Sequence, residues 1–300
     1  MNATAREGQT YGGTSRLVRW VNFVKLPHTV FALPFALVGV VLASRIAPVT
    51  LPMVLWVVVA FTAARFAAMG FNRIADRQYD ALNPRTAMRE LPRGEMSVGE
   101  ATASVLVACA VFVFAAWRIN PLCLTLSPLA LVIVLFYSYT KRFTRWAHVA
   151  LGLGTGIAPA GGYLAVTGAW SEPWWLLPLL VLVVLTWIGG FDVLYALPDA
   201  EFDRAHGLHS VPASMGIGRA LWVSRAMHAL TVASLTAAGV ATHSGALYFA
   251  GVAVAAAILT WEHSLISADD LSKLDAAFFS VNGLLSVTFF LFVLAERLFL

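Results

Sequence analysis

Asn72-Arg73-Ile74-Ala75-Asp76-Arg77-Gln78-Tyr79-Asp80 closes a long apolar run that begins near residue 52. Asn72, Asp76 and Asp80 fall at i, i+4 and i+8, which on a helix aligns them along one face over two turns. Carboxylates at the ends of membrane helices are expensive, so they mark a function more often than they fill space. A second acidic series, Asp192, Tyr195, Asp199 and Asp203, lies far downstream at another apolar segment. Asp199 and Asp203 repeat the four-residue spacing, and Asp192 precedes Asp199 by seven residues on nearly the same face.

The 300-residue chain around these motifs is 59% hydrophobic and 12% charged, with a mean hydropathy of +0.77. A soluble domain is about a quarter charged, so the expected fold is an all-α polytopic membrane protein. Hydropathy predicts nine transmembrane helices at about 28–46, 52–75, 98–117, 121–138, 147–168, 174–197, 219–240, 245–262 and 275–297. Basic residues gather before the first span (Arg6, Arg16, Arg19, Lys25) and in alternate connections, which hold Arg77, Arg85, Arg89 and Arg93, then Lys141, Arg142 and Arg145, then Arg204 and Arg219, then Lys273. The opposite connections hold little beyond Arg45 and Arg118. That alternation predicts a multi-pass protein of the cell (inner) membrane, with the N-terminus and both acidic series on the cytoplasmic side and the C-terminus outside. The long cytoplasmic connections 76–97 and 198–218 each follow an acidic series and read as cap loops over one face. Helices two to four and six to eight share this arrangement, a weak sign of internal duplication.

Residues 1–15 read as a disordered polar tail without a cleavable signal, and 16–300 as a single transmembrane domain. Cys109 and Cys123 fall in apolar segments and read as packing residues. A net charge of +4 is small for this size and argues against a nucleic-acid partner.

Oxygen ligands spaced like these suit a hard cation. Mg²⁺ takes one or two carboxylates together with substrate phosphates and water, so two facing half-sites suit a metal-bridged diphosphate. The alternative is that the aspartates are helix ends paired with Arg73, Arg77 or Arg204. Tyr137-Ser138-Tyr139-Thr140-Lys141-Arg142 reads either as an aromatic belt beside a basic loop or, next to a diphosphate, as cations for the departing group. In Asn83-Pro84-Arg85-Thr86 and the following Arg89, Pro92 and Arg93, the arginines either cap the diphosphate or anchor the loop to headgroups. Of these loop arginines Arg85 is the preferred candidate, being closest to Asp80 in sequence. Lys25, with His28 nearby, reads as a snorkelling anchor or as a hold on an acidic second substrate. The glycines 152, 154, 156, 161 and 162 with Pro159 imply close helix packing, with room for a long apolar substrate. His148 and His228 show no ligand spacing, and Glu262 and His263 with Asp269 and Asp270 read as a solvated connection.

Taken together, Asn72-x-x-x-Asp76-x-x-x-Asp80, Tyr137-x-Tyr139-x-Lys141-Arg142 and Asp192-x-x-Tyr195-x-x-x-Asp199-x-x-x-Asp203 resemble the motifs of the UbiA superfamily of intramembrane prenyltransferases. The resemblance covers nearly the whole chain and implies a nine-helix bundle with a central cavity, a polar cytoplasmic mouth and a lateral opening to lipid. Leu26-Pro27-His28-Thr29-Val30-Phe31-Ala32-Leu33-Pro34 and Asn83-Pro84-Arg85-Thr86 resemble the 4-hydroxybenzoate polyprenyltransferase-like branch. Met69-Gly70-Phe71 before Asn72 departs from the pattern of typical ubiquinone-pathway members of that branch. The implied reaction is transfer of a polyprenyl group from an allylic diphosphate to an aromatic carboxylic acid in quinone biosynthesis. The acceptor is of the 4-hydroxybenzoate type or, alternatively, 1,4-dihydroxy-6-naphthoate on a menaquinone route.

On this resemblance Asn72, Asp76, Asp80, Asp199 and Asp203 hold Mg²⁺ against the polyprenyl diphosphate. Lys141, Arg142, Tyr139 and Asp192 are the catalytic candidates, Asp192 orienting or deprotonating the acceptor. Arg73, Arg85, Lys25 and Tyr195 are the substrate-binding candidates. A secondary transporter with intramembrane acids and a non-catalytic lipid- or quinone-binding scaffold are the competing classes. Acids at helix ends rather than at the bilayer midplane disfavour the transporter.

Overall fold

The computed structural model describes residues 15–268, 270, 271, 274 and 281–299. The expected tail over 1–14, Lys273, Asp269 and the expected start of the last span over 275–280 lie outside the described residues, as does the side chain of His28. In chain order the helices are α1 (Arg16–Phe23), α2 (Leu26–Ala43), α3 (Leu51–Leu82), α4 (Val98–Ile119), α5 (Pro121–Thr140), α6 (Ala147–Thr167) and α7 (Leu176–Tyr195). A 3₁₀ turn (Leu197–Asp199) leads into α8 (Ala200–Ala205), α9 (Val211–Met215), α10 (Ile217–Ala241), α11 (Ala246–Ser264) and α12 (Asn282–Phe299).

The chain is an all-α integral membrane protein. Seven of the described helices, α3 to α7, α11 and α12, are long and apolar enough to cross a bilayer. The other two expected spans are α2, whose apolar part Ala32–Ala43 is shorter, and α10, which carries Arg219, Arg225 and His228. Each of these helices packs on its successor, α7 on α10 included, and α12 returns to α2, so the bundle closes. Trp187, Tyr163, Tyr248, Phe35 and Phe289 fill its centre with almost no exposure.

Across the ring, α2 also packs on α6, and glycine permits it. A Cβ on Gly162 would stand 2.1 Å from the Ala36 carbonyl oxygen, and one on Gly39 would stand 1.9 Å from that of Pro159. Gly152 and Gly156 bring the same helix against α7, with Leu185 and Val181 carbonyls 2.3 and 2.7 Å from the missing Cβ positions. Small residues let backbones approach where lipid offers no hydrophobic drive between helices.

Two boundaries differ from expectation. α3 continues to Leu82, beyond the expected limit near 75, and is 32 residues long. At 1.5 Å per residue that is about 48 Å, more than a hydrocarbon core of about 30 Å, so its acidic end leaves the apolar slab while staying helical. The second series is not one helix. Pro198 lacks an N–H to continue α7, and the chain turns through Leu197–Asp199 before α8 begins. Glu262 corrects the solvated reading given to its connection: it is 1% exposed and accepts from Asn282 Nδ2 at 3.1 Å inside the bundle. The short helix α1 is a further addition, with Arg19 Nη1 donating to the Glu95 carbonyl at 2.9 Å and Trp20 stacked on Phe66.

Gly161 and Gly162 separate packing from mere smallness, because a Cβ on Gly161 meets nothing within 4 Å. Gly162→Ala should cost about 1–3 kcal/mol by overpacking and lower the thermal midpoint of the detergent-solubilised protein. Gly161→Ala should leave that midpoint close to wild type.

Candidate active site

Residues 65, 69, 72, 76, 79, 80 and 83 of α3 and its C-cap form one wall of a cavity of about 230 Å³. Their three- and four-residue steps follow the helical period. The cavity face of α7 supplies Trp187, Ile188, Phe191, Asp192 and Tyr195, and the segment beyond it adds Asp199, Phe202 and Asp203. Tyr137, Ser138 and Lys141 come from the end of α5, Lys25 from the turn before α2, and Arg85 and Arg89 from the loop after α3. The two acidic series therefore face each other across one polar chamber.

Most of these acids have a cation beside them. Asp80 Oδ1 accepts from Arg89 Nη1 at 2.8 Å, while its Oδ2 is buried with no hydrogen-bond partner among the described residues. Asp199 is gripped from the opposite series: Arg85 Nε and Asn83 Nδ2 both donate to Oδ1 at 3.0 Å, and Arg85 Nη2 pairs with Oδ2. Asn83 Oδ1 also accepts from the Arg85 backbone N–H at 2.9 Å, which fixes the turn that carries the guanidinium. Asp76 accepts from Asn72 Nδ2 at 3.0 Å, and Arg142 stands 3.8 Å away. Asp203 is 2% exposed, and its Oδ2 has no hydrogen-bond partner among the described residues.

The loop charges respond to this setting. Burial opposes the charge of Lys141, but Asp203, Asp76, Asp192 and Asp199 outweigh it and hold the ammonium above the ordinary lysine range. Burial would raise the Asp199 carboxyl, yet Arg85 and Asn83 keep it below the usual carboxylate range. Burial raises Asp203, with Lys141 offsetting part of the effect. Lys25 is pulled well below the lysine range by burial and by Arg89, Arg73 and Arg85. Its Nζ stands 3.5 Å from the Tyr195 hydroxyl, and Arg85 lies 4.7 Å from the centre of the same ring.

The arginine assignment changes. Asp80 pairs with Arg89, and Arg85, preferred for its closeness to Asp80 in sequence, crosses to Asp199. Among the described residues, neither Asp80 nor Asp199 takes Arg73, Arg77 or Arg204 as its salt-bridge partner. Arg73 is 4% exposed but lies outside the cavity wall, one residue and therefore about 100° around the helix from Asn72. Tyr139 and Arg142 are also outside the wall: the Arg142 guanidinium donates to the Ala75 carbonyl at 2.7 Å and lies 4.8 Å from the Tyr139 ring centre. Tyr137 faces the chamber instead, because it shares a helical face with Lys141 four residues on.

Two residues enter that sequence reasoning missed. Arg65 lies seven residues before Asn72 on the same face of α3, and its Nε is buried without a hydrogen-bond partner among the described residues. An arginine inside an apolar run at that spacing was the available signal. His148 Nδ1 is 2.6 Å from Asp192 Oδ2, a contact made by α6 packing on α7 across 44 residues of sequence. No spacing announces it.

Arg65, Tyr137, Leu151 and Thr155 also line a second, apolar chamber of about 500 Å³ among α3, α5 and α6. The polar chamber thus adjoins an apolar one, with these four side chains common to both walls. Among the described residues, no three His, Cys, Asp or Glu side chains form a metal cage by themselves. The donor set nonetheless fits Mg²⁺: all-oxygen ligands on facing walls, two buried carboxylate oxygens without partners, and room between them for phosphate to complete the shell.

The sequence pattern of the UbiA prenyltransferase family matches residues 32–292. The 4-hydroxybenzoate octaprenyltransferase of Methylobacillus flagellatus is 31% identical over 249 residues, 82% of this chain and 82% of that one. The apo structure of a UbiA homologue from Aeropyrum pernix K1 matches with a TM-score of 0.78 and 34% identity, covering 90% of this chain and 97% of that chain. A UbiA homologue from Archaeoglobus fulgidus, bound to DMAPP and Mg²⁺, shares the fold with a TM-score of 0.71 at 20% identity, over 94% of this chain and 100% of that one.

Proposed function

This chain belongs to the UbiA prenyltransferase family, and from that premise we propose that it moves a polyprenyl group from an allylic diphosphate to an aromatic carboxylic acid of the 4-hydroxybenzoate type. The observation that carries this reading is the adjoining pair of chambers: acids and cations in one, an apolar space of about 500 Å³ in the next. A diphosphate with a prenyl tail has that same division. The curated relative named above and the A. fulgidus homologue with DMAPP and Mg²⁺ support the substrate class.

Asn72, Asp76 and Asp80 on one wall and Asp199 and Asp203 on the other hold the metal in this reading. Bound Mg²⁺ neutralises the diphosphate and eases its departure. Lys141, kept charged by the surrounding acids, and Arg85 and Arg89 donate to the phosphate oxygens as the bond from allylic carbon to oxygen breaks. The π faces of Tyr137, Phe191 and Trp187 on the chamber wall shelter the allylic cation. The aromatic acceptor attacks it, a C–C bond forms, and the ring proton passes to Asp192. Arg65, which lines both chambers, supplies the charge for the acceptor carboxylate, a role for which Lys25 is less suited because burial and neighbouring arginines oppose its charge. The basic residues Arg77, Arg85, Arg89, Arg93 and Arg142 lie near the polar end, which supports a cytoplasmic mouth.

Membranes containing the protein, given geranyl diphosphate, Mg²⁺ and 4-hydroxybenzoate, should yield a prenylated acid by mass spectrometry. A product formed from 1,4-dihydroxy-6-naphthoate alone would move the acceptor to the naphthoate class. EDTA should abolish turnover and excess Mg²⁺ should restore it; chelator-insensitive activity would remove the metal from the account. Asp76→Asn, which disturbs no close salt bridge, should lower turnover about 10²-fold or more with little change in thermal stability. Arg65→Ala should raise the acceptor KM about 10- to 100-fold, the loss of one charged hydrogen bond, while leaving the diphosphate KM within a few-fold.

A further inference from the structure

Gly152 and Gly156 let α6 lie against the backbone of α7, and His148 sits one turn before that contact. The imidazole is 1% exposed and has a partner on each nitrogen. Nδ1 is 2.6 Å from Asp192 Oδ2, and Nε2 accepts the backbone N–H of Val211, the first residue of α9, at 3.2 Å. Those partners decide the tautomer. A backbone N–H only donates, so Nε2 presents its lone pair and the single ring proton sits on Nδ1, directed at the carboxylate. A second proton would set Nε2–H against Val211 N–H, two donors face to face. Both ring nitrogens are thus engaged, Nε2 by the Val211 N–H and Nδ1 by the Asp192 carboxylate. The Asp192 side chain keeps 23% of its surface and lines the chamber.

We infer that His148 is a positioning residue for the reaction: an imidazole, fixed from behind by the α9 backbone, that aims the Asp192 carboxylate at the acceptor. Asp192 is then the end point of proton transfer within the site, and His148 acts only through it. The inference rests on the reading of Asp192 as the proton acceptor. Removing the aim while keeping the carboxylate should lower kcat and spare substrate binding, since misplacing a reacting group by about 1 Å costs about 10²-fold.

Two substitutions each keep one of the two hydrogen bonds. The Asn amide reaches the place of Nδ1 and donates to Asp192 but loses Val211. The Gln amide reaches the place of Nε2 and accepts from Val211 but offers Asp192 no donor. The full-length protein in membranes is assayed as wild type, H148A, H148N and H148Q, with kcat and both KM values, and thermal midpoints are taken after solubilisation. H148A and H148Q should lose about 10²-fold in kcat, with both KM values within about threefold, and H148N should recover most of the loss. Rescue by Gln instead of Asn, or rescue by both, overturns the inference and makes His148 a structural clip for α9. Unchanged kcat in H148A or H148Q overturns it as well. D192N in parallel keeps the two readings apart: an active D192N removes Asp192 as proton acceptor, whatever His148 does. If D192N is inactive, equal kcat values for H148N and H148Q defeat the positioning role alone. Adding H148A to D192N should cause no further loss, because a residue acting through a partner has nothing left to act on.

Discussion

A carboxylate at the end of a membrane bundle has little water to satisfy it, and the polar half of this structure is arranged around that constraint. Asp80 is 6% exposed and Asp199 7%. Each is held by an arginine from the loop that follows α3, and Asn83 of that loop reinforces the grip on Asp199. The cross-connection matters more than either ion pair alone. It ties the end of α3 to the turn after α7, elements more than a hundred residues apart, so the two acidic walls hold their separation. Losing one partner of such a buried pair costs about 3–5 kcal/mol, because the other charge stays behind. The loop charges are thus structural counter-ions in this state. They are also the donors best placed for an incoming anion, and one set of side chains serves both purposes.

The second constraint is the meeting of unlike chambers. A chain carrying a diphosphate and a long hydrocarbon needs both solvents within a few ångströms of its reacting carbon. Arg65 and Tyr137 stand where the polar and apolar spaces join. A charged side chain at that depth is expensive in apolar surroundings, and its cost makes sense if the wall it belongs to receives an anion there. In the proposed reaction the same enclosure would keep bulk water from the allylic cation.

Much of this was legible in the sequence, and the failures have definite physical causes. The period of 3.6 residues placed Asn72, Asp76 and Asp80 on one wall, and α3 keeps them there because nothing breaks the helix before Leu82. The same arithmetic, carried seven residues back, points to Arg65, and carried across the Tyr137–Lys141 segment it prefers Tyr137 to Tyr139. The seven-residue spacing of Asp192 and Asp199 imitates a helix that Pro198 interrupts, so regular spacing there conceals a different backbone. The choice between Arg85 and Arg89 was not legible, since it depends on a turn fixed by Asn83. Glu262 and His148 were hidden for a shared reason: each is satisfied by a partner on another helix, and only packing brings those partners together.

Packing and chemistry consequently meet in α6. Its glycines face two ways: Gly162 against the α2 backbone at Ala36, and Gly152 and Gly156 against α7 at Leu185 and Val181. A helix so closely seated on both neighbours has little freedom to shift along its axis or rotate. His148 stands at the N-terminal end of that helix, where a hydrogen bond of 2.6 Å to Asp192 tolerates little displacement. Bulky side chains at 152 or 156 would therefore act on the carboxylate without touching it, by moving the imidazole that orients it. The small residues that look like mere packing in the sequence set the register between the scaffold and the Asp192 carboxylate.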